Sequence, residues 1–181
     1  LKFYNGLLFH RVIKNFMIQG GDPNSRNAKQ DALLGEGDVG YTIKAEFNDS
    51  LFHKKGVIAA ARDDNPEKAS SGCQFYLVQG KVLNDEQLDK LEKTRLHFAI
   101  PKWQREVYKT IGGVPHLDRN YTVFGEIVSG INMVDSIAKM PTDKNDRPKA
   151  DVKMKVTLLR RGQARRLERK LAKERIEPKS A

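Results

Sequence analysis

The segment FHRVIKNFMIQGGD, Phe9–Asp22, contains the residues that decide how this sequence folds. Its two short apolar runs predict a pair of strands, and the two glycines near its end predict where the second strand stops. Because side chains alternate between the faces of a strand, Arg11 shares a face with Ile13, and Met17 shares a face with Gln19. A guanidinium, a thioether and an amide therefore have the spacing to meet on one surface. From the spacing alone, an ordinary strand pair with Arg11 in solvent stays open as the alternative.

The chain outside this segment contains further short apolar runs separated by polar loops. Five of them predict strands, at residues 41–45, 56–61, 73–78, 122–128 and 152–159. Helical patterns occur at residues 84–112, 130–139 and 163–176. The first of these is interrupted at Pro101 and ends at Gly112 and Gly113. Many short strands with few helices predict a mainly β domain, either a barrel or a sandwich.

Length and composition exclude several classes of protein. A chain of 181 residues and 20.5 kDa suits one domain with appendages. Clusters of Val, Ile, Leu and Phe exclude a wholly disordered chain, and no apolar run approaches the roughly 20 residues of a membrane helix. Cys73 is the single cysteine, which excludes an intrachain disulfide framework and a cysteine-rich zinc site. The four histidines lack metal-ligand spacing, so the sequence predicts no metal site.

The positive charge is concentrated at one end of the chain. The formal net charge is +10, and residues 160–181 contribute +6 of it, from nine Lys or Arg against three Glu. Such a tail can bind nucleic acid, an anionic surface or an acidic partner. It has no interleaved aromatic residues for stacking on bases, and its apolar stripe is thin for membrane insertion. These features favour a solvated C-terminal helix over the binding roles.

The quoted segment is similar to the signature of the cyclophilin-type peptidyl-prolyl cis-trans isomerases, and three further segments resemble that family in the same order. They are GVIAAA at 56–61, SSGCQFYL at 70–77 and HLDRNYTVFGEIVSGINMVDSI at 116–137. The resemblance implies a closed eight-stranded β-barrel with flanking helices. It also implies an isomerase of class EC 5.2.1.8 that rotates X-Pro bonds in proline-containing peptides and unfolded protein clients, and so assists folding. Such an enzyme is expected to be a monomer and to need no cofactor and no covalent intermediate.

The resemblance assigns a role to eleven residues of this sequence. Arg11 matches the family's catalytic arginine, and Phe16 and Gln19 complete the predicted catalytic set. The predicted roles of the other residues are to form the wall of a proline pocket, to hold the substrate backbone and to line the rim of the peptide groove. These predicted substrate-binding residues are Met17, Ala61, Arg62, Gln74, Tyr76, His116, Leu117 and Tyr121.

Four of these positions depart from the residue that is common in the family. Arg62 stands where many members have Asn, Tyr76 where Phe is common, and Tyr121 where many members have His. The tyrosine at position 121, like the loop at 141–148, resembles bacterial members. His116 stands where the best-known members have Trp, which supports cyclosporin binding in those proteins. We therefore expect cyclosporin to bind weakly.

The chain has fewer residues before its first motif than the family pattern requires. Ten residues precede Arg11, whereas the family has its first two strands and first helix there. We therefore expect an N-terminally truncated sequence, with an incomplete isomerase domain at residues 1–161 and a helical insert at about 84–112. Residues 162–181 are predicted to form a basic helical tail. Any targeting signal would lie upstream, so a bacterial cytoplasm and a periplasm both stay open.

Two other hypotheses of function remain at this level. One is a proline-binding module without turnover, which does not explain the charge of Arg11. The other makes the basic tail the main functional element, with the barrel as its carrier. The insert also allows two interpretations: a helical element packed beside the barrel, or an overhang that narrows the choice of substrate.

Overall fold

The secondary structure is described by a computed structural model for residues 2–176. Within this range the chain forms seven strands: β1 (Phe9–Ile13), β2 (Met17–Gly20), β3 (Thr42–Ile43), β4 (Val57–Ala60), β5 (Ser70–Ser71), β6 (Phe75–Val78) and β7 (Val123–Glu126). The α-helices in this range are α1 (Asp85–Leu91), α2 (Lys102–Thr110), α3 (Asn132–Ile137) and α4 (Arg161–Ile176). Five strands form one antiparallel sheet in the order β1-β2-β6-β4-β7, and β3 pairs separately with β5.

The segment Phe9–Asp22 forms the β1–β2 hairpin. Asn15 lies in its turn with φ 62°, a left-handed conformation that asparagine tolerates better than most residues. The side chain of Gln79 accepts a hydrogen bond from the Asn15 backbone N–H at 2.6 Å, which ties the turn to the end of β6. After β2, Gly21 has φ +98°, and a Cβ there would lie 2.3 Å from the Cys73 carbonyl oxygen. Only glycine fits this position, so the chain turns where the sequence predicts.

The five-stranded sheet separates two apolar clusters, because side chains alternate along its strands. Ile18 and Leu77 belong to the first cluster, which α3 covers with its own buried residues. Met17, Tyr76 and Val78 belong to the second cluster, on the opposite face. The second cluster therefore lies beneath the face to which the sequence assigns the site.

The predicted insert folds around a third, smaller core. α1 begins at a capping box formed by Asn84, and α2 begins directly after Pro101, as predicted. A π-helical turn at Glu92–Leu96 follows α1. Arg105 of α2 forms salt bridges of 2.7–3.0 Å with three acidic residues of this first segment, Asp85, Asp89 and Glu92. The buried residues of this core are Phe52, Leu83, Leu88, Leu96, Ile100 and Tyr108.

The sheet and the flanking helices confirm the coarse prediction of fold. Within the described residues the sheet is open, with β1 and β7 at its edges, and the closed eight-stranded barrel stays a prediction. The strand predicted at residues 152–159 is wrong. Only a single bridge joins Leu8 to Lys153, with hydrogen bonds on either side of it. The partner segment turns at residues 3–6, so nothing continues the ladder there.

The C-terminal segment forms the predicted helix. It begins at Arg161, and none of its side chains from residues 161–173 is buried. Residues 177–181 of the predicted basic tail lie outside the described residues. Among residues 2–176, no helix combines the length and apolar character needed to cross a membrane.

Candidate active site

The strand register aligns the polar site residues across the sheet. Arg11 on β1 lies opposite Gln19 on β2, and Gln19 lies opposite Tyr76 on β6. Tyr76 in turn lies opposite Ala59 on β4. Residues opposite each other point to the same face of a sheet. The guanidinium, the amide and the phenol therefore form one row, which the alternation within Phe9–Asp22 predicts in part.

A small cavity of about 120 Å³ opens at this row. Nine of the eleven residues predicted from the resemblance line it, so residues far apart in sequence meet at one place. They are Arg11, Phe16, Met17, Gln19, Ala61, Arg62, Tyr76, Leu117 and Tyr121. The other two predicted residues, Gln74 and His116, lie next to it without lining it.

The floor of this cavity consists of buried side chains from the second apolar cluster. Met17, Tyr76 and Leu117 are all at least nine-tenths buried, and they pack in the second apolar cluster of the sheet. The ring of Tyr121 packs edge-on against Tyr76, with centroids 5.9 Å apart. Phe16 also lines the cavity and is half-buried. A compact apolar ring is the ligand that such a cavity suits.

Arg11 is the exposed member of the row. Its side chain is 45% accessible, and its Nε lies 3.6 Å from the Asp146 carboxylate. Its Nη1 donates a long hydrogen bond of 3.5 Å to Gln19. A guanidinium has five N–H donors, and these two contacts leave most of them available to a ligand in the cavity.

Gln74 holds Gln19 in place from outside the cavity. Its Oε1 accepts a hydrogen bond of 3.1 Å from the Gln19 amide. Its own amide donates to the Gly35 and Gly37 carbonyl oxygens at 2.7 and 2.8 Å. Gln74 is buried. These hydrogen bonds hold Gln74 outside the cavity. Gln74 therefore orients Gln19 and does not line the cavity itself.

Arg62 is a tethered wall residue. Its Nε donates to the Asn120 carbonyl at 2.9 Å, and its Nη1 donates to the Asp63 carbonyl at 2.9 Å. The guanidinium carbon lies 4.8 Å from the centre of the Tyr121 ring. The two arginines of the cavity therefore differ, since Arg62 uses its donors on the protein and Arg11 largely does not.

His116 lies behind Phe16. The two rings stack with centroids 5.5 Å apart and planes 23° apart. Burial lowers the pKa of His116 to about 4, and the nearby positive charge of Arg95 contributes to this lowering. The imidazole is therefore neutral near pH 7 and acts as an aromatic support for the pocket wall.

Sequence reasoning missed a buried polar network behind Tyr76. Asp118 Oδ1 lies 2.9 Å from His53 Nδ1, and Tyr108 donates to Asp118 Oδ2 at 2.6 Å. The Asp118 carboxylate is the acceptor for His53 Nδ1, and His53 Nε2 lies 2.8 Å from the Tyr76 hydroxyl oxygen on the other side of the ring. Burial raises the pKa of both tyrosines above the usual range. Both phenols therefore stay protonated, which the network requires of its donors.

The only signal for this network in the sequence is the tyrosine at position 76 where the family commonly has Phe. Tyr76 is 23 positions from His53, His53 is 65 positions from Asp118, and Asp118 is 10 positions from Tyr108. No periodic pattern connects residues at such separations.

Among residues 2–176, no group of three or more His, Cys, Asp or Glu side chains is arranged to hold a metal ion.

Comparison with solved structures identifies the class of fold. The chain superimposes with a TM-score of 0.59 on the crystal structure of a cyclophilin-type peptidyl-prolyl cis-trans isomerase from Cryptosporidium parvum, determined in the presence of the dipeptide Ala-Pro. The match covers 85% of this chain and 74% of that chain at 21% sequence identity. A second crystal structure of the same protein gives a TM-score of 0.58. The fold is therefore that of the cyclophilins.

Comparison of sequences identifies the family. The profile described as "Cyclophilin type peptidyl-prolyl cis-trans isomerase/CLD" matches residues 1–158. A candidate peptidyl-prolyl cis-trans isomerase of Staphylococcus saprophyticus is 32% identical over 150 residues, covering 83% of this chain and 70% of that protein. A candidate bifunctional phosphatase/peptidyl-prolyl cis-trans isomerase of Streptococcus pyogenes is 34% identical over 155 residues, and the chain spans 30% of its length. The chain belongs to the cyclophilin-type peptidyl-prolyl cis-trans isomerase family, a family of isomerases.

Proposed function

We propose that this chain accelerates the cis-trans rotation of X-Pro bonds in proline-containing peptides and unfolded proteins, with Arg11 as the catalytic residue. The observation that carries the proposal is the pairing of a largely unengaged guanidinium with a cavity whose floor is formed by the buried side chains of Met17, Tyr76 and Leu117. The Cryptosporidium isomerase was crystallised in the presence of Ala-Pro, which supports a proline-containing substrate. The staphylococcal and streptococcal relatives named as isomerases support the same activity.

The chemistry of the reaction explains the residue types. Rotation about a peptide bond costs roughly 18–20 kcal/mol because the bond has partial double-bond character. No bond is broken, so acceleration requires a site that binds the twisted amide more tightly than the planar forms. Twisting localises a lone pair on the prolyl nitrogen. A guanidinium N–H of Arg11 can donate to that nitrogen only when it is pyramidal.

The surrounding residues position the substrate for that contact. Phe16, Met17 and Leu117 would hold the pyrrolidine ring, and displacement of water by the bound ring would strengthen the hydrogen bond from Arg11. Gln19 would donate to the carbonyl oxygen that precedes the proline, with its orientation fixed by Gln74. Ala61 at the end of β4 would lie along the peptide backbone. No covalent step and no cofactor enters this scheme.

The test is isomerisation of a short X-Pro peptide, followed by protease-coupled absorbance. We expect strong acceleration by the unaltered protein and loss of most of it in Arg11→Ala. Arg165→Ala, an exposed arginine on α4, is the matched control and keeps full activity. A folded protein that binds the peptide without accelerating its exchange would instead favour a proline-binding module.

We also propose that the sheet closes into the family's eight-stranded barrel through further strands between β1 and β7. Both are edge strands among the described residues, and Phe124 on β7 is 60% exposed. Unpaired edges and exposed aromatic side chains are usually covered in a stable β protein. Hydrogen exchange on the protein checks this. Slow exchange of the outward amides of β7 is expected, and fast exchange would contradict closure.

The limits of the domain form a related proposal, with the isomerase at residues 1–161, including its insert at 84–112, and the tail at 162–181. The family match that ends at residue 158 supports this boundary. Deleting residues 162–181 should leave isomerase activity unchanged. A large loss of affinity for nucleic acid or anionic vesicles on the same deletion would make the tail a functional element of its own.

Cyclosporin is expected to inhibit weakly because His116 stands where the best-known members have Trp. The imidazole stacks on Phe16 and supplies less apolar surface than an indole would. We expect His116→Trp to strengthen inhibition in the same peptide assay. Equal inhibition of both forms would contradict the proposed role of this position.

We further propose that the domain acts as a monomer, which sedimentation of the protein tests.

A further inference from the structure

A second concave surface, which we call the insert groove, continues from the proline cavity. It has a volume of about 540 Å³ and lies between the β1–β2 turn and the helices of the insert. Its floor is apolar and consists of Ile13, Phe16, Leu83, Leu91, Val114 and Pro115. Phe16 lines both the groove and the proline cavity, so one side chain separates the two. A peptide held in the cavity can therefore extend directly into the groove.

The charged side chains of the groove are all positive. Lys81, Lys90 and Arg95 line it, all three are exposed, and none forms a salt bridge with another described residue. Among the residues that the structure describes, no acidic side chain lines the groove. Its charge would therefore complement an acidic ligand.

Charges on the insert are sorted between its two sides. The acidic residues Asp85, Asp89 and Glu92 contact Arg105 of α2. Lys90 and Arg95, from the same helical segment, line the groove instead. The spacing of 85, 89 and 92 puts these carboxylates on one face of the helical segment, and that face contacts α2 while Lys90 and Arg95 line the groove. The charge of Arg95 also acts on His116, which lines the same groove and whose pKa it helps to lower.

The direction of a bound peptide follows from the proposed function. Gln19, which would hold the carbonyl preceding the proline, lines the cavity but not the groove, and it contacts Gln74. The groove lies on the other side, beyond Phe16 and His116. The chain that follows the proline therefore leaves the cavity toward the groove.

We propose that the insert groove binds the residues that follow the proline of a substrate, and that it selects an apolar residue followed by acidic residues. This inference rests on the proposed function, since it names the substrate class of the same site. It assigns the insert a role in specificity in addition to its packing.

The test compares peptides that differ only in the residues flanking Ala-Pro. One peptide carries Leu-Glu-Glu after the proline, a second carries Leu-Gln-Gln there, and a third carries Glu-Glu before the alanine with Leu-Gln-Gln after the proline. Chemical-shift titration gives the Kd of each, and exchange spectroscopy on the same samples gives the catalysed rate. Two exposed charge pairs predict roughly fivefold tighter binding of the first peptide than of the second. The preference should shrink as salt is added.

Reversing the charges of the groove tests whether the preference for the acidic peptide arises there. Lys90→Glu combined with Arg95→Glu should remove or invert it, and Lys90→Gln with Arg95→Gln serves if the reversed protein unfolds. Lys93→Glu, an exposed lysine on the same segment that does not line the groove, is the matched control and keeps the preference.

Three outcomes would overturn the inference: equal Kd values for the acidic and neutral peptides, an equal gain from glutamates before the proline, or a preference that survives the charge reversal. Because Kd is read without turnover, failure of the groove and failure of the isomerase are seen separately.

Discussion

Arg11 and Tyr76 lie in the same cavity, yet the protein holds them in opposite ways. The Arg11 side chain is 45% accessible and makes two long contacts. Tyr76 is buried and is fixed through His53 to Asp118. The difference follows from the tasks proposed for them. A group that binds a transient pyramidal nitrogen must keep free donors, whereas the wall of a ring-binding pocket must not move.

The largest expected effect comes from the exposed side of this comparison. Arg11→Ala should lower kcat/KM about 10²- to 10³-fold, because it removes a donor used mainly in the transition state. Its free energy of unfolding should change little, since Arg11 has few contacts to lose. Arg11→Lys should recover only part of the activity, because an ammonium lacks the planar fork of donors. Peptide isomerisation and urea unfolding measure the two quantities.

If Arg11→Ala lowered the free energy of unfolding and left the activity unchanged, the roles that we propose for Arg11 and Tyr76 would be reversed. In that case the arginine would be a structural residue, and the donor would have to be sought elsewhere in the cavity.

Substitutions in the buried network behind Tyr76 should instead lower the free energy of unfolding. Asp118→Ala leaves His53 and Tyr108 without their acceptor, at a cost of about 3 kcal/mol in the free energy of unfolding. Urea unfolding measures this. Asp63→Ala, an exposed carboxylate near the cavity, is the control and should be nearly neutral. Equal stability of the two variants would mean that the network contributes nothing.

A smaller effect is expected when only the pocket end of the network is cut. Tyr76→Phe keeps the ring and removes the hydroxyl that is hydrogen-bonded to His53. The expected cost is about 1 kcal/mol of stability, with only a few-fold loss in kcat/KM. A loss of activity as large as that of Arg11→Ala would place the hydroxyl in the chemistry itself.

The smallest effect concerns pH and the buried residue next to Arg11. His10 is 3% exposed, and neither ring nitrogen has a hydrogen-bond partner among the described residues. Burial lowers its pKa from 6.5 to about 4. Between these values the unfolded chain binds a proton that the folded chain does not, so stability falls as the pH falls through this window.

From pH 7 to 5.5 the expected loss from His10 is about 1 kcal/mol. His10→Leu should remove this part of the pH dependence, while the contribution of His116, with its pKa of about 4, remains. Urea unfolding at both pH values measures the change. Titration of the His10 ring by NMR with a midpoint near 6.5 would contradict the argument.

Several features follow from the sequence because they depend on neighbours in the chain. Alternation within Phe9–Asp22 predicts which side chains share a face, and the hairpin register bears this out. Pro101 and Gly21 predict interruptions, since one lacks an N–H and the other adopts a positive φ. The motif resemblance predicts nine residues that line one cavity.

The tertiary structure alone decides what surrounds those residues. The link from Tyr76 through His53 and Asp118 to Tyr108 joins separate elements, and so does the contact of Asp146 with Arg11. The strand predicted at 152–159 is absent because its partner turns away, which its own alternation does not report. Local periodicity determines which way a side chain points, whereas packing between distant segments determines what it meets. The insert groove belongs to this second kind, because packing brings Lys90 and Arg95 of the insert beside Ile13 and Phe16 of the first hairpin.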